Sequence, residues 1–168
     1  MKYDAEALYL GFKVNDEMRG ERNIEKHLWD GDAIEIFIDL QPDKNIDRVD
    51  YTEDGYQIIF GMPTNKFPEI AYFDVRNGIS LKDIKNDPNY KMEGVIVKTE
   101  GQEGGYDLEI KIPWKYFEGF KPVTDATIGF DIAIDDGDEK EGRAYQIIWA
   151  GEKNNSSNRT NLGRLFFR

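Results

Sequence analysis

The chain contains no cysteine, so it can form no disulfide bond, no thiolate nucleophile and no zinc–thiolate site. It also lacks any apolar run near the roughly 20 residues that a membrane span requires. The first ten residues, MKYDAEALYL, do not contain the uninterrupted apolar core of a signal peptide. If the protein is exported, we expect its signal to lie outside this sequence, because the absence of cysteine alone does not identify a compartment.

Positive charge is also scarce. The sequence carries 33 acidic and 22 basic side chains, which gives a net charge of −11, and it has no basic run that could follow a phosphate backbone. Such a field repels polyanions, so we expect neither nucleic acid nor an anionic membrane as a partner. Neutral and cationic ligands remain.

The dominant pattern in the sequence is an alternation of apolar and polar residues with a period of two. In the segment 33–39, for example, Ile34, Ile36 and Ile38 share one face. This period is typical of β-strands that bury one face. It predicts about nine strands, at 7–14, 33–39, 56–60, 69–75, 94–99, 105–112, 127–135, 144–149 and 162–167.

Turn clusters rather than helices join these segments. Only 113–117, with Pro113 at its first position, and 80–85 carry the signals of a short helical turn. Strands joined by turns predict an antiparallel sheet, and nine strands are too many for one small sheet. We therefore predict an all-β fold: a single domain over 1–168, built as an antiparallel β-sandwich. The predicted buried face comprises Ile34, Ile36, Ile38, Leu108, Ile110, Phe130 and Ile132.

One stretch, HLWDGDAIEIFIDL at 27–40, combines an aromatic residue with acids on a predicted strand. If the isoleucines face the core, Glu35, Phe37 and Asp39 lie on the other face, and Trp29 lies just upstream. An aromatic ring that stacks on a sugar, beside a carboxylate that accepts hydroxyl hydrogens, is what carbohydrate recognition requires. The alternative is a packing Trp beside acids that only keep the strand soluble.

The ordered motifs ALYLGFKVND, WDGDAIEIFID, GYDLEIKIPW, IGFDIAIDD, a GR…IIW segment and a closing LGRL together resemble the family 9 carbohydrate-binding modules. Those modules accompany xylanases and related plant-polysaccharide enzymes, and they belong to a wider group of β-sandwiches that includes the DOMON domains. The resemblance runs from about residue 5 to 168. The family's usual leading segment before the first strand is missing, which predicts an edge strand open to pairing.

The resemblance implies a non-catalytic module that binds carbohydrate, typically at chain ends, and that tethers a larger extracellular or cell-surface protein to polysaccharide. It assigns sugar contacts to Trp29, Glu35, Arg143 and Asn154. Two features depart from the family. Ala133 replaces a frequent Gln, and the loop EKNNSSNRT lacks the second Trp that closes over the sugar.

Structural calcium is also implied by the resemblance. In the loop 135–142, Asp136 and Asp138 offer oxygen ligands at alternate positions, although their spacing does not match the EF-hand. Acid-rich loops of this kind are commonly only solvated.

Other functions have weaker signals. A structural or protein-interaction sandwich that has lost its sugar is the main alternative, given Ala133 and the missing Trp. A haem-binding relative would draw axial ligands from His27 and from Met18, Met62 and Met92, which form no haem motif. The acids show no spacing that identifies a catalytic pair, so we do not expect an enzyme.

Overall fold

The computed structural model describes most of the chain, namely residues 1–16, 28–44, 47, 49, 54–63, 71–74, 94–117, 120–138 and 142–168. Within these ranges the protein is built from ten β-strands and two short 3₁₀ turns. The strands are β1 (Lys2–Tyr3), β2 (Ala7–Asn15), β3 (Ala33–Asp39), β4 (Gly55–Gly61), β5 (Ala71–Asp74), β6 (Ile96–Gln102), β7 (Gly105–Pro113), β8 (Thr127–Asp136), β9 (Tyr145–Ile148) and β10 (Gly163–Phe166).

The strands form two antiparallel sheets, as the period-two pattern predicts. Sheet A has the order β1-β2-β7-β6, and sheet B has the order β10-β8-β3-β4-β5, with β9 also paired to β8. Strands β9 and β10 pair with opposite ends of β8, at 133–136 and 127–130. The all-β sandwich prediction is confirmed. The pattern did not predict β1, which pairs Lys2 and Tyr3 with the edge of β2.

The main core lies between the two sheets. The isoleucines of β3 contact the apolar face of β7, where Leu108, Ile110 and Ile112 are buried. Phe130 of β8 is buried as predicted, whereas Ile132 is only partly buried at the margin of this core. At one end Trp114, Phe117, Phe120 and Phe167 pack as an aromatic cluster with ring centroids 5.4–6.1 Å apart.

The expectation that β3 is a half-buried strand is wrong. All seven of its residues are buried, and Glu35 and Asp39 are each only 3% exposed. The reason is a second layer on the outer face of sheet B, where Phe37 and Ala133 pack against Leu162 and the partly buried Ile148. The acids on this face are therefore buried polar groups that need partners, and they do not serve as solvent-facing charges.

Among the described residues, helical structure is confined to the 3₁₀ turns Leu28–Asp30 and Trp114–Tyr116. Pro113 precedes the second turn as its N-cap residue instead of occupying the first helical position. The turn expected at 80–85 lies outside the described residues, as do His27, Met18 and Met92. No helix within the described ranges has the length and apolar character needed to cross a membrane.

We predict that Ile36→Ala destabilises the fold by about 2–5 kcal/mol in urea unfolding, because it removes a fully buried side chain from between Ile58 and Ile132 of the flanking strands. Ile96→Ala is the matched control, since Ile96 is 52% exposed on β6 and its truncation should cost about 1 kcal/mol or less. Equal losses in the two variants would contradict the assignment of the core.

Candidate functional site

A pocket of about 230 Å³ lies on the outer face of sheet B. Its floor comes from β3, β4, β8 and β9, and its walls come from the Leu28–Asp30 turn and from two loops. The lining residues are Trp29, Glu35, Phe37, Gln57, Ala133, Arg143, Gln146, Ile148, Lys153, Asn155 and Ser156. Pockets for drug-sized ligands start at roughly 300 Å³, so this one suits a single sugar ring better than a long chain segment.

Glu35 lies at the centre of a hydrogen-bond network. Its Oε2 accepts a 2.6 Å bond from the Gln57 amide, and its Oε1 accepts a 3.0 Å bond from the Gln146 amide. The Nη1 atom of Arg143 lies 3.4 Å from the same Oε1. These donors come from β4, β9 and the 142–144 loop, so the carboxylate joins three separate parts of the sheet face.

Arg143 connects the charged and aromatic sides of the pocket. Its guanidinium carbon lies 5.2 Å from the centroid of the Trp29 ring, within the range of a cation–π contact. The same Nη1 that approaches Glu35 donates a 2.7 Å bond to Oδ1 of Asp135. Three of the predicted sugar contacts, Trp29, Glu35 and Arg143, therefore lie together in one pocket.

Asp135 and Glu35 share the hydrogen-bond donors Arg143 and Gln146. Gln146 Nε2 donates to both carboxylates, at 3.0 Å to Glu35 and 2.8 Å to Asp135. Burial and, after it, the negative charge of Glu35 raise the pKa of Asp135 to about 8, against the opposing effect of Arg143. Oδ2 of Asp135 is buried and has no hydrogen-bond partner among the described residues, which fits a protonated carboxyl group better than a charged one.

A second buried acid, Asp131, fixes the loop that forms one wall of the pocket. Its Oδ1 accepts from the backbone N–H groups of Ile132 and Ala150, and its Oδ2 accepts from the Gly151 N–H and from the Asn155 side chain, at 2.6–3.0 Å. A Cβ at Gly151 would lie 2.5 Å from Oδ2 of Asp131, so only glycine fits at this close approach.

The fourth predicted sugar contact, Asn154, is not among the residues that line the pocket, whereas its neighbour Asn155 is. Oδ1 of Asn154 is buried without a hydrogen-bond partner among the described residues, and its backbone oxygen accepts from Ser157 and Asn158. The assignment of Asn154 as a sugar contact stays a prediction. Where a second Trp was expected, this loop contributes the polar residues Lys153, Asn155 and Ser156.

The proposed metal ligands lie at the end of β8. Asp136 accepts a long 3.4 Å bond from the Asp138 N–H, and Asp138 is exposed. No group of three or more His, Asp or Glu side chains is arranged to hold a metal within the described ranges. Two carboxylates supply only part of the six to eight oxygen ligands that calcium takes, so calcium binding at Asp136 and Asp138 stays a prediction.

Several residues were not identified from the sequence, among them Gln57, Gln146 and Asn155, which line the pocket, and Asp135, which shares donors with Glu35. A usable signal existed for two of them. Gln57, on β4, lies opposite Phe37 of β3, and Gln146 lies between Tyr145 and Ile147 on β9. Once Glu35 is known to be buried, amide donors on the neighbouring strands are the natural partners to look for.

Over residues 1–168 the chain matches a family described as carbohydrate family 9 binding domain-like. It is 30% identical over 156 residues to endo-1,4-beta-xylanase A of Thermotoga neapolitana, and 28% identical over 158 residues to the enzyme of the same name in Thermotoga maritima. Each match covers 92% of this chain but 12% of the xylanase. The chain therefore spans about an eighth of the length of these curated relatives.

Two solved structures of a family 9 carbohydrate-binding module from Caldicellulosiruptor kristjanssonii, one with cellotriose and one with glucose, share the fold. Their TM-scores are 0.70 and 0.71, each at 19% sequence identity. The similarity covers 98% and 99% of this chain, and 70% and 73% of the respective module.

The raised pKa of Asp135 leads to a prediction about stability and pH. The folded state holds this proton up to about pH 8, whereas an unfolded aspartate loses it near 3.8. The stabilisation of the folded state that results from this difference is therefore present at low pH and is lost as the pH rises towards 8. Asp135→Asn, which mimics the protonated form, should remove a decline of up to about 1.4 kcal/mol per pH unit.

Urea unfolding between pH 5 and pH 8 measures this effect. Glu109→Gln makes the same acid-to-amide substitution at an exposed site on β7 and should leave the slope unchanged. A parent and an Asp135→Asn variant with parallel pH profiles would show that Asp135 is ionised in the folded protein.

Asp131 anchors the loop, and we predict that Asp131→Asn destabilises the protein by about 1–3 kcal/mol. The amide would present an NH₂ group to N–H donors whose hydrogen bonds the carboxylate now accepts. Asp43→Asn is the control, since the Asp43 side chain is 85% exposed. Thermal unfolding of both variants measures the difference, and equal melting temperatures would show that the anchor is not needed.

Proposed function

Because the chain belongs to the carbohydrate family 9 binding domain-like family, we propose that the Trp29 pocket is its carbohydrate site. The domain is a non-catalytic binding module. The observation that carries the proposal is the convergence of an aromatic ring, a buried carboxylate and a guanidinium in one cavity, with Arg143 within 5.2 Å of the Trp29 ring and 3.4 Å of Glu35.

In the proposed complex the sugar presents its apolar C–H face to Trp29 and its hydroxyl groups to Glu35, Arg143 and Gln146. The carboxylate accepts hydroxyl hydrogens, while the guanidinium and the amide donate to hydroxyl oxygens. The Gln57 and Gln146 bonds hold Glu35 in place before the ligand arrives, so little side-chain entropy is lost on binding. The small volume favours one sugar unit, which agrees with recognition of chain ends.

A structural or interaction role without sugar is the second candidate, and one observation favours it. Glu35 already accepts bonds from two amides and lies near Arg143, so part of its capacity to accept hydroxyl hydrogens is used within the protein. With no second Trp over the pocket, stacking on one side only supports weaker binding. The experiment below distinguishes the two roles.

We further propose that the module belongs to a larger polysaccharide-active protein that works outside the cell or at its surface. The match to about an eighth of each xylanase supports this, because such modules gain effective affinity from linkage to other domains.

Trp29→Ala should weaken sugar binding by about tenfold to a hundredfold, because it removes the apolar stacking surface, worth on the order of 1–3 kcal/mol. Calorimetry with glucose, cello-oligosaccharides and xylo-oligosaccharides is the measurement. Phe166→Ala is the matched control, since it truncates an aromatic side chain that is 61% exposed and does not line the pocket.

Both variants should melt close to the parent, so that lost packing is not mistaken for lost binding. A sugar that binds folded Trp29→Ala as tightly as the parent would place the site elsewhere. A parent protein that binds no glycan on a broad array would favour the structural role.

A further inference from the structure

The back of strand β9 carries a row of exposed apolar side chains that the pocket does not use. Tyr145 is 71% exposed, Ile147 is 69% exposed and Trp149, directly after the strand, is 60% exposed. We call these three residues the β9 stripe. Their accessible area is on the order of 400 Å², which is in the size range of the largest apolar patch on a typical soluble monomer, and such patches are often functional.

The stripe and the pocket are on opposite faces of one strand. Gln146 and Ile148 point to the pocket, so the alternating Tyr145, Ile147 and Trp149 point to the face on which β8 contributes Ile134 and Ile132. On β3 and β4 that face is covered by sheet A, but on β9, at the edge of sheet B, it is open. The stripe therefore extends the sandwich core beyond the sheet that covers it.

The geometry of the row suits a flat, repeating ligand. Alternate residues of a strand are about 7 Å apart, so the ends of the stripe are separated by about 14 Å along a straight line. Trp149 is held in place against the ring of Phe130, with centroids 6.2 Å apart, and its ring edge lies over Gly163. Two exposed aromatic side chains with an aliphatic side chain between them offer apolar surface along this row.

Charge decides between the possible occupants. The stripe itself is uncharged. Because the chain has a net charge of −11, it repels both a second copy of itself and any anionic partner. A neutral polysaccharide meets no such barrier. Resting on the proposed function, we propose that the β9 stripe is a second carbohydrate contact, which lies against the surface of an insoluble, uncharged polysaccharide while the pocket holds a single chain end.

The test compares soluble and insoluble ligands. The double variant Tyr145→Ser/Ile147→Ser removes the two most exposed members of the stripe and leaves Trp149, which packs on Phe130. We expect about tenfold or greater loss of partitioning onto microcrystalline cellulose in depletion assays, with cellotriose affinity by calorimetry unchanged. The double variant Ile96→Ser/Val123→Ser makes a matched apolar-to-polar change at exposed sites outside the stripe and should bind like the parent.

The outcomes separate this inference from the proposed function. A parent that binds cellotriose but not cellulose, or a stripe variant that binds cellulose as well as the parent, overturns the stripe and leaves the pocket standing. A parent that sediments as a dimer, and a stripe variant that sediments as a monomer, would make the stripe an interface between copies instead. Trp29→Ala should bind cellotriose about tenfold to a hundredfold more weakly yet keep measurable binding to cellulose. A parent that binds neither ligand overturns the stripe, and the glycan array then decides whether the pocket binds another sugar.

Discussion

The burial of strand β3 on both faces is the constraint on which the rest of the structure depends. One face gives Ile34, Ile36 and Ile38 to the core, and the other buries Glu35 and Asp39. A buried carboxylate without partners costs several kcal/mol, so each must be satisfied. Glu35 accepts hydrogen bonds from Gln57 and Gln146 and lies 3.4 Å from Arg143. Asp39 accepts a hydrogen bond from the Gln41 N–H and lies 3.7 Å from buried Arg159.

The same requirement explains why the pocket is where it is. Arg159 also donates a 2.8 Å bond to Asp54, which ties the segment after β9 to the turn before β4. Asp131 fixes the neighbouring part of that segment by three hydrogen bonds, from Ala150, Gly151 and Asn155. The segment after β9, which covers the outer face of sheet B, is therefore attached at Asp54 and at Asp131. It leaves a gap over Glu35. The cavity is the part of the outer face that the covering layer does not fill.

The sandwich could be predicted because alternation with period two is local information, and it identified nearly every described strand. Three of the residues that line the pocket, Trp29, Glu35 and Arg143, could be predicted from the resemblance of WDGDAIEIFID and EGR to the family. The burial of Glu35 could not, because two of its partners, Arg143 and Gln146, lie more than 100 positions away, and no local pattern records them. Asn154 illustrates a related limit, since in an irregular loop a shift of one position changes which side chain faces the pocket.

The pairing of β3 with β8 has a consequence for how the protein folds. Ile34 lies opposite Ile134, and on the other sheet Leu8 lies opposite Ile112, so both central pairings join positions about 100 residues apart. Sheets made from such distant contacts form slowly, on a scale of about milliseconds to seconds. During synthesis β3 therefore cannot pair with β8 until most of the chain has left the ribosome. Until then its isoleucines and acids lack the partners that bury them in the folded protein.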